Sequence, residues 1–349
     1  MSSKPDTRPV IVLVGGFLGA GKTTLLIRAA QELTADGVKA VLITNDQGGS
    51  LVDTDFAQSA GIRTGEVIGG CFCCRFSDLV AQARQLREYA PQVILAEPVG
   101  SCTDIVATTV RPLEQIYAAE FRVAPFTVLV DPHRTAAIER DPSAAFLYRK
   151  QIEEADLLCY THSDLPGEFT PIAGRSVRKL SGRTGEGVRA WLNEVLSGAA
   201  MPKHRVMDID YAVYAEAEAA LGWVNWEAEV KLRRAAMPAA VLGPLFDDID
   251  AQLTKSGERI FHLKGTAAGG TGTVKAAITA NGDQPAVEGN LTAAPVRSLR
   301  LLVNLRALGE PSVLLAAINE CAARIDGSVD VRHSEAFRPS PPKPEFRVA

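Results

Sequence analysis

The sequence predicts an α/β domain with a mostly parallel sheet, followed by a smaller α+β domain. Short apolar runs alternate with segments of helical periodicity through residue 198, as in parallel sheets covered on both faces. A glycine-rich loop joins the first run to the first helix. Beyond residue 210, strand-like and helix-like segments around an Asn-Gly turn indicate the second domain.

Composition narrows the functional classes. The 349 residues suggest two domains, and 37 Lys and Arg against 41 Asp and Glu give a net charge of −4. That charge argues against nucleic acid or an anionic membrane as partner. The chain has no run of ~18 apolar residues and no apolar region near its polar N-terminus, so neither membrane insertion nor secretion is expected. Three of the six cysteines lie within four positions, too close together for a framework of disulfides that link distant loops. Free cysteines are typical of a reducing compartment, so we expect a cytoplasmic protein.

The first domain is expected at residues 9–198, after an N-terminal tail at 1–8 and before a linker at 199–209. Apolar β-branched runs predict its strands: Pro9–Val14, Val38–Thr44, Gln92–Ala96, Phe126–Val130, Asp156–Tyr160 and Ser176–Leu180. Helical periodicity follows at Thr24–Leu33 and Glu186–Leu196.

The second domain is expected at residues 210–337. Its predicted strands are Trp223–Leu232, Arg259–Lys264, Val274–Ala280, Val287–Ala293 and Leu299–Leu305, and its predicted helices are Ala239–Leu253 and Pro311–Ile325. Asn281-Gly282 suits a tight hairpin turn. The tail at 338–349 contains four prolines and is expected to be extended or disordered.

A phosphate-binding loop is the strongest motif. Residues 16–23, GFLGAGKT, fit G-x-x-x-x-G-K-[ST] between a predicted strand and a predicted helix. In such a loop, backbone N–H groups converge on phosphate oxygens, the lysine reaches the β- and γ-phosphates and the hydroxyl holds Mg²⁺. The expected nucleotide-binding residues are Gly16, Gly19, Ala20, Gly21, Lys22, Thr23 and Thr24. A dinucleotide site is the alternative, since Asp46 follows the second strand, but the Lys-Thr pair argues against it.

A cysteine cluster predicts a metal site. Cys71, Cys73 and Cys74 offer three thiolates, which favour Zn²⁺, Co²⁺ or Cu(I). Three ligands leave a fourth position open, which suits an ion that is handed on. Cys102, His133 or an acidic side chain could complete the shell, and the sequence does not choose among them. Buried apolar cysteines or a redox pair are the alternatives.

Several short motifs occur in a fixed order along the first domain: Gly15 to Thr24, Thr44-Asn45-Asp46, Gly70 to Cys74, Glu97 to Gly100, Val130-Asp131, Ser163-Asp164 and Ser181 to Gly187. This order resembles the CobW-like metallochaperone GTPases, relatives of the accessory GTPases of urease and hydrogenase maturation. The resemblance implies GTP hydrolysis coupled to delivery of Zn²⁺ or Co²⁺ to a client metalloprotein or corrinoid-dependent protein. A homodimer is one arrangement it allows.

The resemblance also assigns roles around the phosphates. Glu97 follows an apolar strand, where a carboxylate acts on Mg²⁺ through water or orients the attacking water. Gly100 is expected to sense the γ-phosphate through its backbone N–H. Asp46 is the candidate second acidic group on the Mg²⁺ side, with Asp53 and Asp55 as weaker candidates.

Base recognition departs from the usual GTPase pattern. Asp164 is expected to accept hydrogen bonds from guanine, but Thr161 and His162 replace the usual amide and lysine. Ser181 opens the loop that resembles the last guanine-contacting loop. Selectivity for GTP over ATP therefore stays open.

The order of the motifs suggests how the parts are coupled. The cysteines lie in sequence between Asp46 and Glu97, so the hypothesis is that bound GTP orders both flanking loops and fixes the thiolates. Two other classes are kept as alternatives: an ATP-using transferase or kinase, and a non-catalytic metal store or sensor.

Overall fold

The computed structural model describes residues 6–48, 52–167, 169, 171–198 and 204–348. The start of the expected N-terminal tail, 1–5, and the first part of the expected linker 199–209, residues 199–203, lie outside these residues. The chain divides into two compact units: Met1–Gln47, Ala60–Tyr214 and Pro342–Ala349 form the first, and Gly48–Ser59 with Ala215–Pro341 form the second.

The strands are numbered in chain order: β1 Val10–Gly16, β2 Ala40–Asn45, β3 Thr64–Val67, β4 Val93–Ala96, β5 Arg122–Val123, β6 Thr127–Val130, β7 Leu157–Tyr160, β8 Val177–Lys179, β9 Leu221–Ala236, β10 Arg259–Gly269, β11 Gly272–Ile278, β12 Ala286–Gly289, β13 Val296–Leu308 and β14 Gly327–Phe337. The helices are α1 Lys22–Ala35, α2 Val52–Ser59, α3 Phe76–Leu86, α4 Arg111–Ile116, α5 Thr135–Ile138, α6 Pro142–Glu154, α7 Val188–Leu196, α8 Tyr211–Ala219, α9 Pro238–Ser256 and α10 Pro311–Ala322. A π-helical turn, Val106–Val110, precedes α4.

The first unit is built on a parallel sheet. Within the described residues it has eight strands in the order β3-β2-β4-β1-β6-β7-β8, with β5 also paired to β1. β1 is buried along its whole length, as expected for a central strand covered on both faces. Because carboxyl ends of parallel strands share one edge, the loops after β1, β2, β4 and β7 meet there.

The second unit is an antiparallel sheet with helices. In the described part of the chain its six strands run in the order β12-β11-β10-β13-β9-β14. One sheet face joins α9 and α10 in an apolar core around Trp226, Phe246 and Val303. The predicted fold class, a parallel α/β core followed by an α+β unit, is confirmed.

The structure differs from the sequence-based boundaries at several places; residues 210–214 group with the first unit and residues 338–341 with the second. Residues 48–59, expected in the first domain, group with the second unit because α2 contacts β10, β11 and β13. Residues 342–348, expected to be extended or disordered, group with the first unit and hydrogen-bond to it.

Two strand predictions also need correction. The sequence predicts that Asn281-Gly282 forms a tight hairpin turn between two strands. The connection is a longer loop, because β11 ends at Ile278 and β12 begins at Ala286. β14, which pairs with β9 over most of its length, has no counterpart among the predicted strands.

Candidate nucleotide and metal sites

The loop between β1 and α1 has the backbone that its glycines allow. Gly19 and Gly21 have φ angles of 76° and 85°, in the left-handed region that favours glycine. A Cβ on Gly16 would lie 2.7 Å from the carbonyl oxygen of Leu129 on β6. Ala20 is buried, and its N–H donates to the carbonyl of Phe17 at 3.0 Å. The glycines are therefore required by the turn and by the close approach of β6.

Lys22 and Thr23 open α1 beside Glu97. The Lys22 ammonium donates to the Gly16 carbonyl at 2.9 Å and lies 4.0 Å from Glu97 Oε1. The Thr23 hydroxyl donates to Glu97 Oε2 at 2.8 Å. All three side chains are buried. The fold thus brings together the ammonium, hydroxyl and carboxylate that the sequence placed at the phosphates.

The loop after β4 lies against the phosphate loop. A Cβ on Gly100 would be 3.0 Å from Lys22 Nζ and 3.1 Å from the backbone nitrogen of Leu18. Such spacing admits only a glycine, and it places the Gly100 backbone beside the predicted γ-phosphate position. The Arg134 guanidinium, which the sequence did not single out, donates to the Leu18 carbonyl at 2.5 Å and supports the same loop.

Asp164 offers a buried acceptor on the base side. Its Oδ2 accepts from Arg183 Nε at 2.9 Å, whereas its buried Oδ1 has no hydrogen-bond partner among the described residues. Burial raises the pKa of Asp164, but hydrogen bonds from Ser181 and Arg183 outweigh it and leave the pKa below the ordinary value. Ser181 Oγ also accepts from the Thr184 N–H at 3.1 Å. A carboxylate with one unpartnered oxygen fits the paired donors of guanine.

His162 occupies the position of the usual lysine. Its Nδ1 lies 3.2 Å from Asp131 Oδ2, and a Cβ on Gly21 would lie 3.9 Å from its Nε2. Burial lowers the pKa of His162, but the hydrogen bond and charge of Asp131 raise it more, so the net direction is upward. The imidazole is therefore held beside the phosphate loop by Asp131, a pairing that the Val130-Asp131 strand end could have suggested.

The end of β2 holds the cysteine element. Asn45 Nδ2 donates to the carbonyls of Val67 and Gly70 at 2.9 and 2.7 Å, and its Oδ1 accepts from the Phe72 N–H at 2.9 Å. Asp46, the next residue, is buried at the sheet edge, and its N–H donates to Val67 at 3.2 Å. The candidate Mg²⁺-side carboxylate and the anchor of the cysteine element are thus neighbours in sequence.

The thiols of Cys71, Cys73 and Cys74 form a compact group, called here the thiol cluster. Their sulfur atoms all lie within 4.8 Å of one another. Cys71 Sγ and Cys74 Sγ are 3.4 Å apart, and Cys73 Sγ and Cys74 Sγ are 3.6 Å apart. Tetrahedral Zn–S bonds of ~2.3 Å need sulfurs about 4 Å apart, so the cluster fits a thiolate-bound metal.

Cys102 extends this group. It is buried, and its side chain hydrogen-bonds with both Cys71 and Cys73. The pKa of Cys71 lies well below the ordinary thiol value because its thiolate accepts from Cys102, Cys73 and Cys74. The same contacts raise the pKa of Cys73 well above that value. Metal binding requires deprotonated sulfurs, so an ion that binds these thiols releases their protons.

Residues 342–348, called here the strap, run across the thiol cluster. The Lys343 N–H donates to Cys74 Sγ at 3.2 Å, and the Glu345 N–H donates to the Cys73 carbonyl at 2.9 Å. The Glu345 carboxylate accepts from the Ser77 N–H at 3.0 Å. Arg347 Nε donates to buried Asp104 at 2.9 Å. Four contacts thus fix a segment for which composition indicated no partner.

Asp53 and Asp55, the weaker Mg²⁺ candidates, lie elsewhere. The Asp53 carboxylate is buried in the second unit, ion-paired with Lys264 and 3.7 Å from Lys275 Nζ. Asp55 pairs with Arg300 at 3.1 Å. Both carboxylates are therefore held by cations of the second sheet, so the expectation that they serve Mg²⁺ is corrected.

Residues 10–181 match the family model described as CobW/HypB/UreG, nucleotide-binding domain, so this region is similar to that domain. The resemblance inferred from the motifs is confirmed, and the predicted class, a P-loop GTPase, is that of the family. The match runs from β1 to Ser181, so it includes both the phosphate loop and the thiol cluster.

Curated relatives of the CobW/HypB/UreG domain share part of the chain. A zinc chaperone CobW from Sinorhizobium sp is 35% identical over 97 residues, 25% of this chain and 27% of that protein. The zinc chaperone YeiR of Escherichia coli strain K12 is 27% identical over 157 residues, 44% of this chain and 46% of that protein. The chain thus spans less than half the length of either relative.

Solved structures show a distant likeness. Zn(II)-bound YjiA GTPase from E. coli is 14% identical and has a TM-score of 0.35, over 90% of this chain and 99% of that one. HypB from Helicobacter pylori in complex with nickel is 14% identical with a TM-score of 0.42, over 57% of this chain and 92% of that one. Likeness at this level supports no inference about this chain. Among the helices that the structure describes, none has both the length and the apolar character to span a bilayer.

Proposed function

We propose that the chain is a GTP-hydrolysing metallochaperone that binds zinc at the thiol cluster and passes it to a client metalloprotein. One observation carries the proposal: the thiol cluster is attached to both loops that flank the phosphates. Asn45, beside Asp46, binds Gly70 and Phe72, and Cys102 lies five residues after Glu97. A change in nucleotide state therefore has two short routes to the metal ligands, one through the hydrogen bonds of Asn45 and one along the chain from Glu97 to Cys102.

At the phosphates, Lys22 and the backbone N–H groups of Gly16, Gly19, Ala20 and Gly21 bind the nucleotide. Thr23 would hold Mg²⁺, with Glu97 and Asp46 as the carboxylates on its side, and the ion would supply positive charge at the transferred phosphoryl group. Glu97 orients the attacking water, and the Gly100 N–H senses the γ-phosphate. The contact of Glu97 with both Lys22 and Thr23 supports these roles.

Guanine is the base that suits Asp164. The unpartnered Oδ1 accepts from N1–H or the 2-amino group, donors that adenine does not present in that arrangement. Ser181 keeps the carboxylate ionised and positioned. Thr24, at the start of α1, packs against Gly182 of the same loop. GTP is therefore the proposed nucleotide.

Zinc is the metal we favour, because both curated relatives described above are zinc chaperones. Co²⁺ remains the second candidate, since thiolates bind both ions. The client is a metalloprotein or a corrinoid-dependent protein. Thiolates must stay reduced to bind metal, so we place the protein in the cytoplasm.

The test is a competitive metal titration of the reduced full chain, comparing a GTP analogue with Mg²⁺ against GDP. We expect zinc affinity at least ~10-fold higher with the triphosphate analogue, about 1.4 kcal/mol of coupling. Cys73→Ser removes one ligand and is expected to abolish that difference. Equal affinity in both nucleotide states, with GTP still hydrolysed, would reduce the protein to a GTPase with a separate metal store.

A further inference from the structure

We infer that Cys102 is the fourth ligand of a four-thiolate metal centre and that it ties this centre to the nucleotide-sensing loop. The inference rests on the proposed function and adds a ligand to it. Cys102 stands apart from the thiol cluster in sequence, and it follows Gly100 by two residues. It is 3% exposed.

The contacts of the Cys102 thiol select it over the other candidates. It hydrogen-bonds with Cys71 and Cys73, so it lies on the cluster. His133, by contrast, packs beside Gly167 and Phe169. Asp104, the nearest acidic residue in sequence, has its Oδ2 held by the Tyr211 hydroxyl at 2.8 Å and by Arg347, and its carboxylate is not part of the ligand group formed by the cysteines. Four sulfurs satisfy the tetrahedral preference of zinc without either of these groups.

The same loop fixes the distance between Cys102 and the phosphate sensor. Gln151 Nε2 donates to the carbonyls of both Gly100 and Cys102 at 2.9 Å. The Cys102 N–H donates to the Val99 carbonyl at 3.0 Å, which closes a tight turn. Residues 99–102 therefore move as one piece, and a shift of Gly100 toward a γ-phosphate shifts Cys102 as well.

This arrangement gives the four thiols two different roles as ligands. Cys71, Cys73 and Cys74 belong to one turn and lie within 4.8 Å of one another, so they form a constant three-sulfur face. Cys102 contacts two of them and belongs to a different loop, the one that carries Gly100. It is therefore the ligand whose position depends on nucleotide state. Release to a client then begins with loss of the Cys102 sulfur.

The first test needs no substitution. The zinc-loaded, reduced full chain with a GTP analogue is measured by X-ray absorption spectroscopy at the zinc edge. We expect a first shell of four sulfurs at the ~2.3 Å typical of zinc thiolates. A shell of three sulfurs with one nitrogen or oxygen in this state would overturn the assignment.

The second test uses Co²⁺ as a probe of thiolate number. Cys102→Ser is compared with Cys159→Ser, a matched change at a buried cysteine on β7 that lies outside the thiol cluster. With one of four thiolates lost, sulfur-to-cobalt absorption should fall by about a quarter and cobalt affinity by at least ~10-fold. Cys159→Ser should change neither. Unchanged absorption and affinity in folded Cys102→Ser would overturn the inference.

The two proposals fail differently in this experiment. If the wild type responds to nucleotide but Cys102→Ser keeps the full response, the metallochaperone function stands and Cys102 is not the coupling ligand. If four sulfurs are found but metal affinity is the same with GDP and the GTP analogue, the ligand set stands and the nucleotide switch is wrong.

Discussion

The proposed role of Asp164 in guanine recognition depends on one atom, the carboxylate oxygen Oδ1. Its buried Oδ1 lacks a partner among the described residues, so Asp164→Ala removes this unused acceptor together with Oδ2, which accepts from the exposed Arg183. A hydrogen bond to a charged group contributes about 1.5–3 kcal/mol, which predicts at least a ~10-fold loss of GTP affinity. ATP affinity should change less than ~3-fold. Competition against a fluorescent nucleotide measures both.

Asp283→Ala, at an exposed loop carboxylate of the second unit, is the control for Asp164 and should change neither affinity. If GTP and ATP binding weakened equally in Asp164→Ala, the carboxylate would serve to hold the Ser181 loop rather than to read the base.

Glu154 gives the first unit a predictable pH dependence. Burial raises its pKa to about 8, and the nearby charge of Asp104 adds to the rise. The unfolded side chain titrates near the ordinary value of 4.5, so between these two pH values the folded chain holds a proton that the unfolded chain releases. Stability from this group therefore falls as pH rises from 4.5 toward 8, and it is level above 8.

Glu154→Gln removes that titration and keeps a neutral side chain. We expect the free energy of unfolding of the variant, relative to wild type, to rise by at least ~1 kcal/mol between pH 5.5 and pH 8.5, since one pKa unit corresponds to about 1.4 kcal/mol. Urea denaturation at both pH values measures it. Glu153→Gln, at the partly exposed neighbour, should follow wild type; a parallel response of Glu154→Gln would mean that Glu154 is ionised throughout.

At the scale of elements, the strap is hydrogen-bonded to the thiol cluster, so we expect it to slow release of a bound ion. Arg347→Gln breaks its pairing with Asp104 and should loosen the Lys343 N–H bond to Cys74. Since one backbone hydrogen bond contributes about 0.5–1.5 kcal/mol, zinc transfer to a chelator should accelerate about 2- to 10-fold. Stopped-flow transfer to a chromophoric chelator measures this rate.

The matched control for the strap is Arg338→Gln. Arg338 pairs with Glu310 inside the second unit, so its loss should leave zinc transfer unchanged. If Arg347→Gln and Arg338→Gln released zinc at the wild-type rate, the strap would be a structural tail with no effect on the metal.

Strands with continuous apolar runs could be predicted from sequence, because a strand that is buried on both faces consists of consecutive apolar residues. β4 and β6, for example, differ from their predicted bounds only at the N-terminal end. β14 could not be predicted, since it is a largely exposed edge strand without an apolar run. The contacts of the strap and of Cys102 with the thiol cluster join residues that are distant in sequence. The periodicity of apolar residues is a local pattern, so it could not predict these contacts.

At the scale of the whole molecule, α2 is held in the second unit by buried charge. Asp53 accepts two ammonium groups, and although burial raises its pKa, Lys264 and Lys275 lower it well below the ordinary value. Asp53→Asn leaves both buried cations without their carboxylate, which predicts a loss of about 3–5 kcal/mol in unfolding free energy. Chemical denaturation measures that loss.

Asp248→Asn serves as the comparison, because Asp248 is about half exposed and lies 3.8 Å from Arg324 on the surface of the same unit. An exposed pair of this kind contributes less than ~1 kcal/mol. Equal stability of the Asp53 and Asp248 variants would show that the buried pair makes no net contribution.

The chain passes between the two units four times, after residues 47, 59, 214 and 341. During synthesis, the thiol cluster is made early, whereas the strap follows the whole of the second unit. The cysteines of a nascent chain therefore emerge from the ribosome long before the segment that crosses them. Metal and reductant in the surrounding solution can reach these sulfurs during translation, so under the proposed function a first ion can bind before residues 215–341 of the second unit are made.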